Sequence, residues 1–598
     1  NLELYLQAET ARGARSGDEM GPEKNLEARI QEIAGAIYPF LKAEKPSFFA
    51  SEGWRGKVVA WSMRDERFRT QLLRFIDVLP SLRTDELVLR IYREYLGKVS
   101  AGRSLLVQSA ELFGRTVPAV IAAPLIRSAV SALARQFIVG QDPADALPTV
   151  KRLWKDGLSV SLDLLGEAVV SEAEAGQHAG RHLELLGLFG PAAAGPLDIS
   201  LKLSSFYSQL NPLDFEGSVD TLTAALMPVL EKAGRAGASF IFDMEQYYHK
   251  DLVIATFKRV LSERGDGPLG SIALQAYLRD TRADLLELIR WAREQRKRIG
   301  IRLVKGAYWD YEVVNSRQKG WPVPVFLSKD KTDANFEELT RIVLENADAV
   351  RPAIATHNVR SAANALALAE KLGLASGDFE FQSLFGMGGP LAAAMKRAGF
   401  GNPARIYCPV GELLPGIAYL VRRVLENTSN DSFFRKTFGD GLSLEELARK
   451  PEPDRDVPEE TPGHFDPGEF RNEPLTDFSK APNRAAVRSS LTEARETFGK
   501  KYPLVIDGRD VLTSAEALST NPSRPVEIIG RISQADRSDA DRAVEAARKA
   551  FPAWRATPPD ERAELLLAAA REMRKRRFEL IALEVYEAGK TIPEADGD

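Results

Sequence analysis

Eight short runs rich in β-branched and aromatic residues, each followed by a stretch of helical period, occupy the middle of the chain. They are Ser159–Leu165 (SVSLDLL), Asp198–Ser204 (DISLKLS), Ser239–Glu245 (SFIFDME), Ser271–Leu278 (SIALQAYL), Ile299–Lys305 (IGIRLVK), Ala353–Asn358 (AIATHN), Phe379–Phe385 (FEFQSLF) and Ala404–Pro409 (ARIYCP). Strands that alternate with helices build a parallel sheet. Eight such units in about 270 residues fit one closed (βα)8 barrel better than an open, doubly wound sheet. The fold class expected is therefore α/β, with a TIM-like barrel.

Such barrels place their sites at the C-terminal ends of the strands. The polar residues found there, or directed inward, are Asp163, Lys202, Asp243, Gln275, Arg302, Lys305, Thr356, His357, Asn358 and Gln382. A charge inside a barrel is costly unless it is paired. The set reads either as the lining of a large polar ligand or as internal ion pairs with no ligand. No Gly-rich phosphate loop is present, and GMGG at Gly386–Gly389 reads as a plain loop. A nucleotide cofactor would then rest on helix N-termini and on cations such as Arg302 and Lys305.

The last unit, RIYCPVGELLPGIAYLVRRVLEN, reads as a strand, a turn at Gly411 and a helix from about Leu414. On that helix Tyr419, Arg422, Arg423 and Glu426 fall at i, i+3, i+4 and i+7, within roughly 60° of one line. Leu420, Val421, Val424 and Leu425 take the opposite face. The polar face could clamp a carboxylate or simply be solvated, and spacing alone leaves both readings open.

The remaining chain divides by composition. Residues 1–24 are polar and expected to be disordered, and residues 25–154 read as helical throughout. The barrel takes residues 155–435. A Pro- and acid-rich linker is expected over 436–501, and a new folded segment over 502–598, opening with a hairpin at Asp507-Gly508. Lys and Arg number 80 and Asp and Glu 84, a net charge of −4 that gives no pull toward nucleic acid. The single cysteine, Cys408, excludes an internal disulfide or a cysteine zinc cluster, and it reads as a buried inert thiol. His178 and His182 stand at i, i+4 without the zinc-helix glutamate, in a polar stretch, and are expected to be exposed. No metal site is expected. No apolar run is long enough to span a bilayer, so a soluble, cytoplasmic chain is expected, with surface attachment to a membrane left open.

Seven motifs, in order, carry a resemblance. LKLS (201–204), FDME (242–245), LQAY (274–277), RLVKGAYWD (302–310), ATHN (355–358), FEFQ (379–382) and RIYCPVG with AYLVRRVLEN (405–427) closely resemble proline dehydrogenase. The helical N-terminal region beside them resembles the proline utilization A family, the bacterial fusion with pyrroline-5-carboxylate dehydrogenase. FPAW (551–554), PPDERAELL and EAGKTIPEADGD (587–598) resemble the start of an aldehyde dehydrogenase, so 502–598 is expected to be an incomplete domain of that kind.

The resemblance implies FAD-dependent oxidation of L-proline to Δ1-pyrroline-5-carboxylate by hydride transfer to flavin N5, on a distorted barrel whose eighth helix covers the mouth. It implies that Arg422, Arg423 and Lys202 bind the substrate carboxylate, with Glu426 orienting the arginines. Asp243, Tyr308, Tyr407 and Tyr419 would shape the pocket. Gln275 and Arg302 would sit near the isoalloxazine. Lys305, Gly306, Ala307 and Trp309 would line the ribityl and phosphate side, with Thr356, His357, Asn358 and Gln382 facing the rest of the cofactor. Arg302 would favour the anionic reduced flavin. Electrons would pass to a membrane quinone, which makes peripheral association with the inner membrane face an expectation; a homo-oligomer is allowed. NAD would serve only the missing remainder of the second domain, where the parent protein would oxidise glutamate semialdehyde to glutamate. Cys408 departs from the family, which usually has a small residue there. The competing readings are a regulatory or scaffold protein on a dead barrel, and a different barrel enzyme acting on an anionic metabolite.

Overall fold

A computed structural model describes residues 22–43, 66–96, 118–412, 443–453 and 472–598, apart from residues 167, 265, 266 and 268. Each of the eight apolar runs forms a strand. These are β1 (Ser159–Leu164), β2 (Leu197–Leu201), β3 (Ser239–Phe242), β4 (Gly270–Gln275), β5 (Ile299–Val304), β6 (Val350–Ala355), β7 (Glu380–Leu384) and β8 (Ala404–Val410). They pair in parallel, in sequence order, and β8 returns to β1 to close the barrel. Ser159, Ser161 and Asp163 stand opposite Arg405, Tyr407 and Pro409 along that seam. The strands mostly end short of the runs that predicted them. Lys202, Asp243, Lys305, Thr356, His357 and Asn358 therefore sit in the loops at the mouth, while Asp163, Gln275, Arg302 and Gln382 stay on the strands.

The surrounding helices bury apolar stripes against the strands, as in the helix Phe215–Arg235, where Leu222, Leu226, Val229 and Leu230 are fully buried. The helix Val359–Leu372 is capped at both ends by its own sequence. Asn358 Oδ1 accepts from the Ser361 amide at 3.1 Å, and Gly373 ends the helix at φ +68°. The N-terminal helix Pro22–Ala43 packs on the helices Val359–Leu372 and Gly389–Arg397. Arg360 fastens it: the buried guanidinium bonds Glu27 (2.7 and 2.9 Å), Glu337 (2.7 and 3.1 Å) and the carbonyl of Ala448 (2.8 Å). The GMGG loop is a packing device. Gly386 is at φ +80°, and a Cβ there would lie 2.1 Å from the Gln136 carbonyl oxygen.

Two expectations change here. The segment expected as linker contains ordered structure: residues 443–448 form a capped turn of helix held to Gln31 and Arg360, and Ala481–Glu496 is a helix. The Pro- and acid-rich composition of the middle of this stretch had masked the ordinary helical sequence at its end.

His178 and His182 are buried, not exposed. On the helix Glu172–Ala192 they share a stripe with Leu185 and Phe189, and that register, rather than the polar residues around them, sets the face. The two rings meet edge-on, 4.7 Å apart, and both pack on Phe206. His182 Nδ1 donates to the His178 carbonyl at 3.1 Å. Burial disfavours the charged form and pushes His178 down to about 2 and His182 to about 4. The unfolded chain protonates both near pH 6.5 while the folded chain does not. Stability is therefore lost as pH falls below 6.5, by about 2 kcal/mol per imidazole at pH 5. Replacing both by leucine is expected to flatten the fall in thermal midpoint between pH 7 and pH 5.

The described residues form two compact units, the second comprising residues 314–322 and 472–598. In it β9 (Lys500–Tyr502), β12 (Glu516–Asn521) and β13 (Arg524–Ser533) make one sheet, and β10 (Leu504–Ile506) and β11 (Arg509–Val511) make the expected hairpin. Asp507 and Gly508 both take positive φ, 51° and 72°, as a two-residue hairpin turn of this kind requires. Four helices follow, Arg537–Ala556, Pro559–Lys575, Arg577–Ala588 and Ile592–Gly597. Among the described residues no helix is long and apolar enough to cross a membrane.

Candidate active site

The interior of the barrel is polar over most of its depth. At the mouth, Lys202 Nζ bonds Asp163 Oδ1 and lies 3.6 Å from Asp243 Oδ2 and 3.3 Å from the Tyr407 hydroxyl. Tyr407 donates to Asp243 Oδ2 at 2.8 Å. The other carboxylate oxygen of Asp243 accepts from Arg302 Nη1 at 2.7 Å. Arg302, whose guanidinium lies 5.2 Å from the centre of the Tyr407 ring, is bonded on every side. Its Nε donates to Gln382 Oε1 (2.6 Å), Nη2 to Ser161 Oγ (3.1 Å) and Nη1 also to Ser200 Oγ (3.4 Å).

Behind Gln382 lies a second tier. Gln382 Nε2 donates to Glu380 Oε1 at 2.6 Å, and Arg405 binds the same carboxylate at 2.7 and 3.2 Å. Arg405 also lies 3.2 Å from Asp198. Five strands thus contribute to one continuous hydrogen-bonded set running from the lower barrel to the mouth.

Burial works against every charge in this set, and the neighbours decide the outcome. Lys202 is largely withdrawn from solvent, which works against its charge, yet Asp163 and Asp243 hold it above its ordinary range. Tyr407 is driven up by burial and by the same two carboxylates, so its hydroxyl stays protonated. In the lower tier two carboxylates share one guanidinium. Burial raises both, but Arg405 brings Glu380 below its usual value, while Asp198 stays pushed up. Burial also pushes the Cys408 thiol up, and the thiol lies fully buried on β8.

Lys202, Asp243, Arg302, Gln382 and Tyr407 are therefore brought together. Gln275 is turned to the end of β3, where Nε2 donates to the carbonyls of Met244 and Glu245 at 3.0 and 3.1 Å. Lys305 pairs with Asp333 at 2.5 Å, beside Lys329. The two ammonium groups hold Asp333 down against the effect of burial, while burial pulls Lys305 down. Gly306 takes φ +120°, and a Cβ there would lie 2.6 Å from the Tyr277 ring. Ala307 and Trp309 are exposed, and the Trp309 indole donates to the Phe326 carbonyl at 2.9 Å. Tyr308 is half-buried. Thr356 and Asn358 each use one oxygen to shape the loop after β6, and His357 Nε2 accepts from the Leu384 amide at 3.1 Å. Tyr419, Arg422, Arg423 and Glu426 lie outside the described residues.

Six members of this set carry no role from the resemblance: Ser161, Asp163, Asp198, Ser200, Glu380 and Arg405, of which only Asp163 stands among the inward polar residues read from the sequence. A signal was available. Ser161 and Asp163, Glu380 and Gln382, and Arg405 and Tyr407 are spaced two apart on their strands. They occupy inward positions that barrels usually fill with Val, Ile or Leu.

The family model described as Proline dehydrogenase matches residues 146–436, which contain all eight strands and every residue of this site. The Proline utilization A N-terminal domain matches 27–137, and the Aldehyde dehydrogenase family matches 513–598. The chain is of the proline utilization A type. The Bifunctional protein PutA of Escherichia coli K12 is 30% identical to it over 507 residues, 79% of this chain and 38% of that protein. The crystal structure of proline utilization A from Bdellovibrio bacteriovorus inactivated by N-propargylglycine shares 34% identity and a TM-score of 0.85, covering 96% of this chain and 59% of that one. A 1-pyrroline-5-carboxylate dehydrogenase of Bacillus pumilus is 44% identical over 129 residues, 22% of this chain and 25% of that enzyme. The chain spans less than two thirds of the length of each of these relatives. Within this proline utilization A-type chain the barrel is a proline dehydrogenase domain, preceded by a helical region and followed by part of an aldehyde dehydrogenase fold.

Proposed function

We propose that the barrel oxidises L-proline to Δ1-pyrroline-5-carboxylate with FAD as the hydride acceptor. The observation that carries this reading is the cation–carboxylate–tyrosine set at the mouth, Lys202–Asp163–Asp243–Tyr407–Arg302, in a domain of this family. The residues fit a bound flavin in two respects. Gln275 Oε1 and Asp163 Oδ2 are buried acceptors without a partner among the described residues, so donors of a ligand can satisfy them. Gly306, at φ +120° and packed against the Tyr277 ring, lets the backbone after β5 take a path open only to glycine, which presents the Lys305–Trp309 loop at the mouth.

FAD, when bound, supplies the two-electron acceptor; the chain supplies binding, orientation and charge. Arg302 places a fixed guanidinium where negative charge develops, and Gln275, Gln382, Thr356, His357, Asn358 and the loop Lys305–Trp309 would hold the cofactor. Lys202, together with Arg422 and Arg423, would bind the substrate carboxylate, with Glu426 orienting the arginines and Tyr308 and Tyr419 closing the pocket. Each charge-assisted bond of that kind contributes about 1.5–3 kcal/mol. Proline loses a hydride from C5 and a proton from nitrogen, leaving the C5=N bond. The buried set around Asp243 keeps Tyr407 protonated and in place beside the substrate. Transfer of electrons to a membrane quinone, and oxidation of glutamate semialdehyde with NAD by a bifunctional protein of this type, extend the same reading.

Anaerobic L-proline should bleach the bound flavin, whereas D-proline and succinate should not. Bleaching by succinate would favour a different barrel enzyme, and a colourless protein that cannot be reconstituted with FAD would favour the scaffold reading. Arg422→Met is expected to raise the proline KM at least tenfold while FAD stays bound, consistent with loss of one charged hydrogen bond. An unchanged KM would remove Arg422 from the carboxylate clamp.

A further inference from the structure

Gln382 reaches Arg302 through its carbonyl oxygen, and nothing in a glutamine amide itself fixes which end faces which neighbour. The group behind it does. Gln382 Nε2 points to Glu380 Oε1, and an ionised carboxylate can only accept. The carboxylate is in turn fixed by the Nε and Nη2 of Arg405, whose Nη1 is anchored on the Val160 carbonyl at 3.0 Å. Glu380, Gln382 and Arg405 are all at least nine-tenths buried, so water does not compete for these bonds. With the amide NH2 committed to Glu380, the carbonyl must face Arg302. It is the sole hydrogen-bond acceptor recorded for Arg302 Nε among the described residues; Asp243, Ser161 and Ser200 all hold the other two nitrogens. A reversed amide would set NH2 against N–H and force the guanidinium to turn.

We propose that Glu380, which lies below the reacting groups, is a positioning residue: it sets the polarity of the Gln382 amide and through it the aim of the Arg302 guanidinium. This rests on the reading that Arg302 adjoins the bound flavin. A cation so placed stabilises the anionic sulfite adduct of an oxidised flavin, and sulfite affinity can be titrated without turnover.

The test uses the FAD-loaded full chain and the variants Arg302→Met, Gln382→Met, Glu380→Met, Glu380→Asp and the Glu380→Met/Gln382→Met pair. Glu380→Met is expected to weaken sulfite binding about tenfold and to lower kcat about ten- to hundredfold with little change in proline KM, as loss of a supporting bond does elsewhere. Glu380→Asp should recover most of both. The double variant should be no worse than Gln382→Met alone, because the effect runs through that one amide. Glu380→Gln, a change of the same size whose amide can donate as well as accept, replaces Glu380→Met if that variant fails to fold, with the same direction expected. Unchanged sulfite affinity in Glu380→Met, or in the Glu380→Gln that replaces it, or fully additive losses in the double variant, would overturn the positioning role. If Arg302→Met itself leaves sulfite affinity unchanged, it is the placement of Arg302 beside the flavin that fails, and the proposal falls with it.

Discussion

Arg302→Met is expected to lower kcat for proline oxidation by about 10²–10³-fold, the usual cost of removing one preorganised donor from a site of developing charge. The reason lies in how the guanidinium is held. Gln382, Asp243, Ser161 and Ser200 bond it on every side, so it needs no reorganisation when charge appears near it. Arg302→Lys should recover only part of the rate, because an ammonium is a point charge and cannot keep a planar fork bonded to four partners. The loss should fall on kcat rather than on proline KM, since Lys202 remains paired with Asp163 and Asp243. Stopped-flow measurement of anaerobic flavin reduction by proline separates the two. A tenfold rise in KM with an unchanged rate of reduction would place Arg302 on the substrate instead.

The second large effect is on stability. Arg405→Met leaves Glu380 and Asp198, both buried, without the cation they share. Breaking one side of a buried ion pair costs about 3–5 kcal/mol, because the remaining charge is stranded in low dielectric. Asp198, already pushed toward its neutral form, would take up a proton, whereas Glu380 keeps only Gln382 and the more distant Arg351 at 3.6 Å. A marked fall in the thermal midpoint of the barrel is expected. Adding Asp198→Asn and Glu380→Gln to Arg405→Met should restore part of it, since an all-neutral tier strands no charge. A fall that the two neutralising changes do not relieve would mean that Arg405 acts through packing of its aliphatic stem.

These two arginines also mark how far the sequence could be read. The barrel was legible because eight apolar runs and the helical stretches between them repeat in a pattern that closes a parallel sheet, and the strands fall on those runs. The mouth residues were legible because lysine, aspartate, glutamine and arginine stand at the ends of otherwise apolar strands. Arg405 and Glu380 were not singled out because each reads alone as an ordinary charge at the start of a strand. Their meaning comes from partners on other strands, 25 residues apart in one case and 80 residues apart for Arg302 and Gln382.

His178 and His182 teach the same lesson in reverse. Their polar neighbours suggested solvent, and the helix register placed them in the core. Local sequence determined the elements here, through periodicity, caps and turns such as Asn358, Gly373 and Asp507-Gly508. Tertiary structure alone decided which charges meet, because the cost of burying a charge is set by whatever partner the closed barrel brings within hydrogen-bond reach.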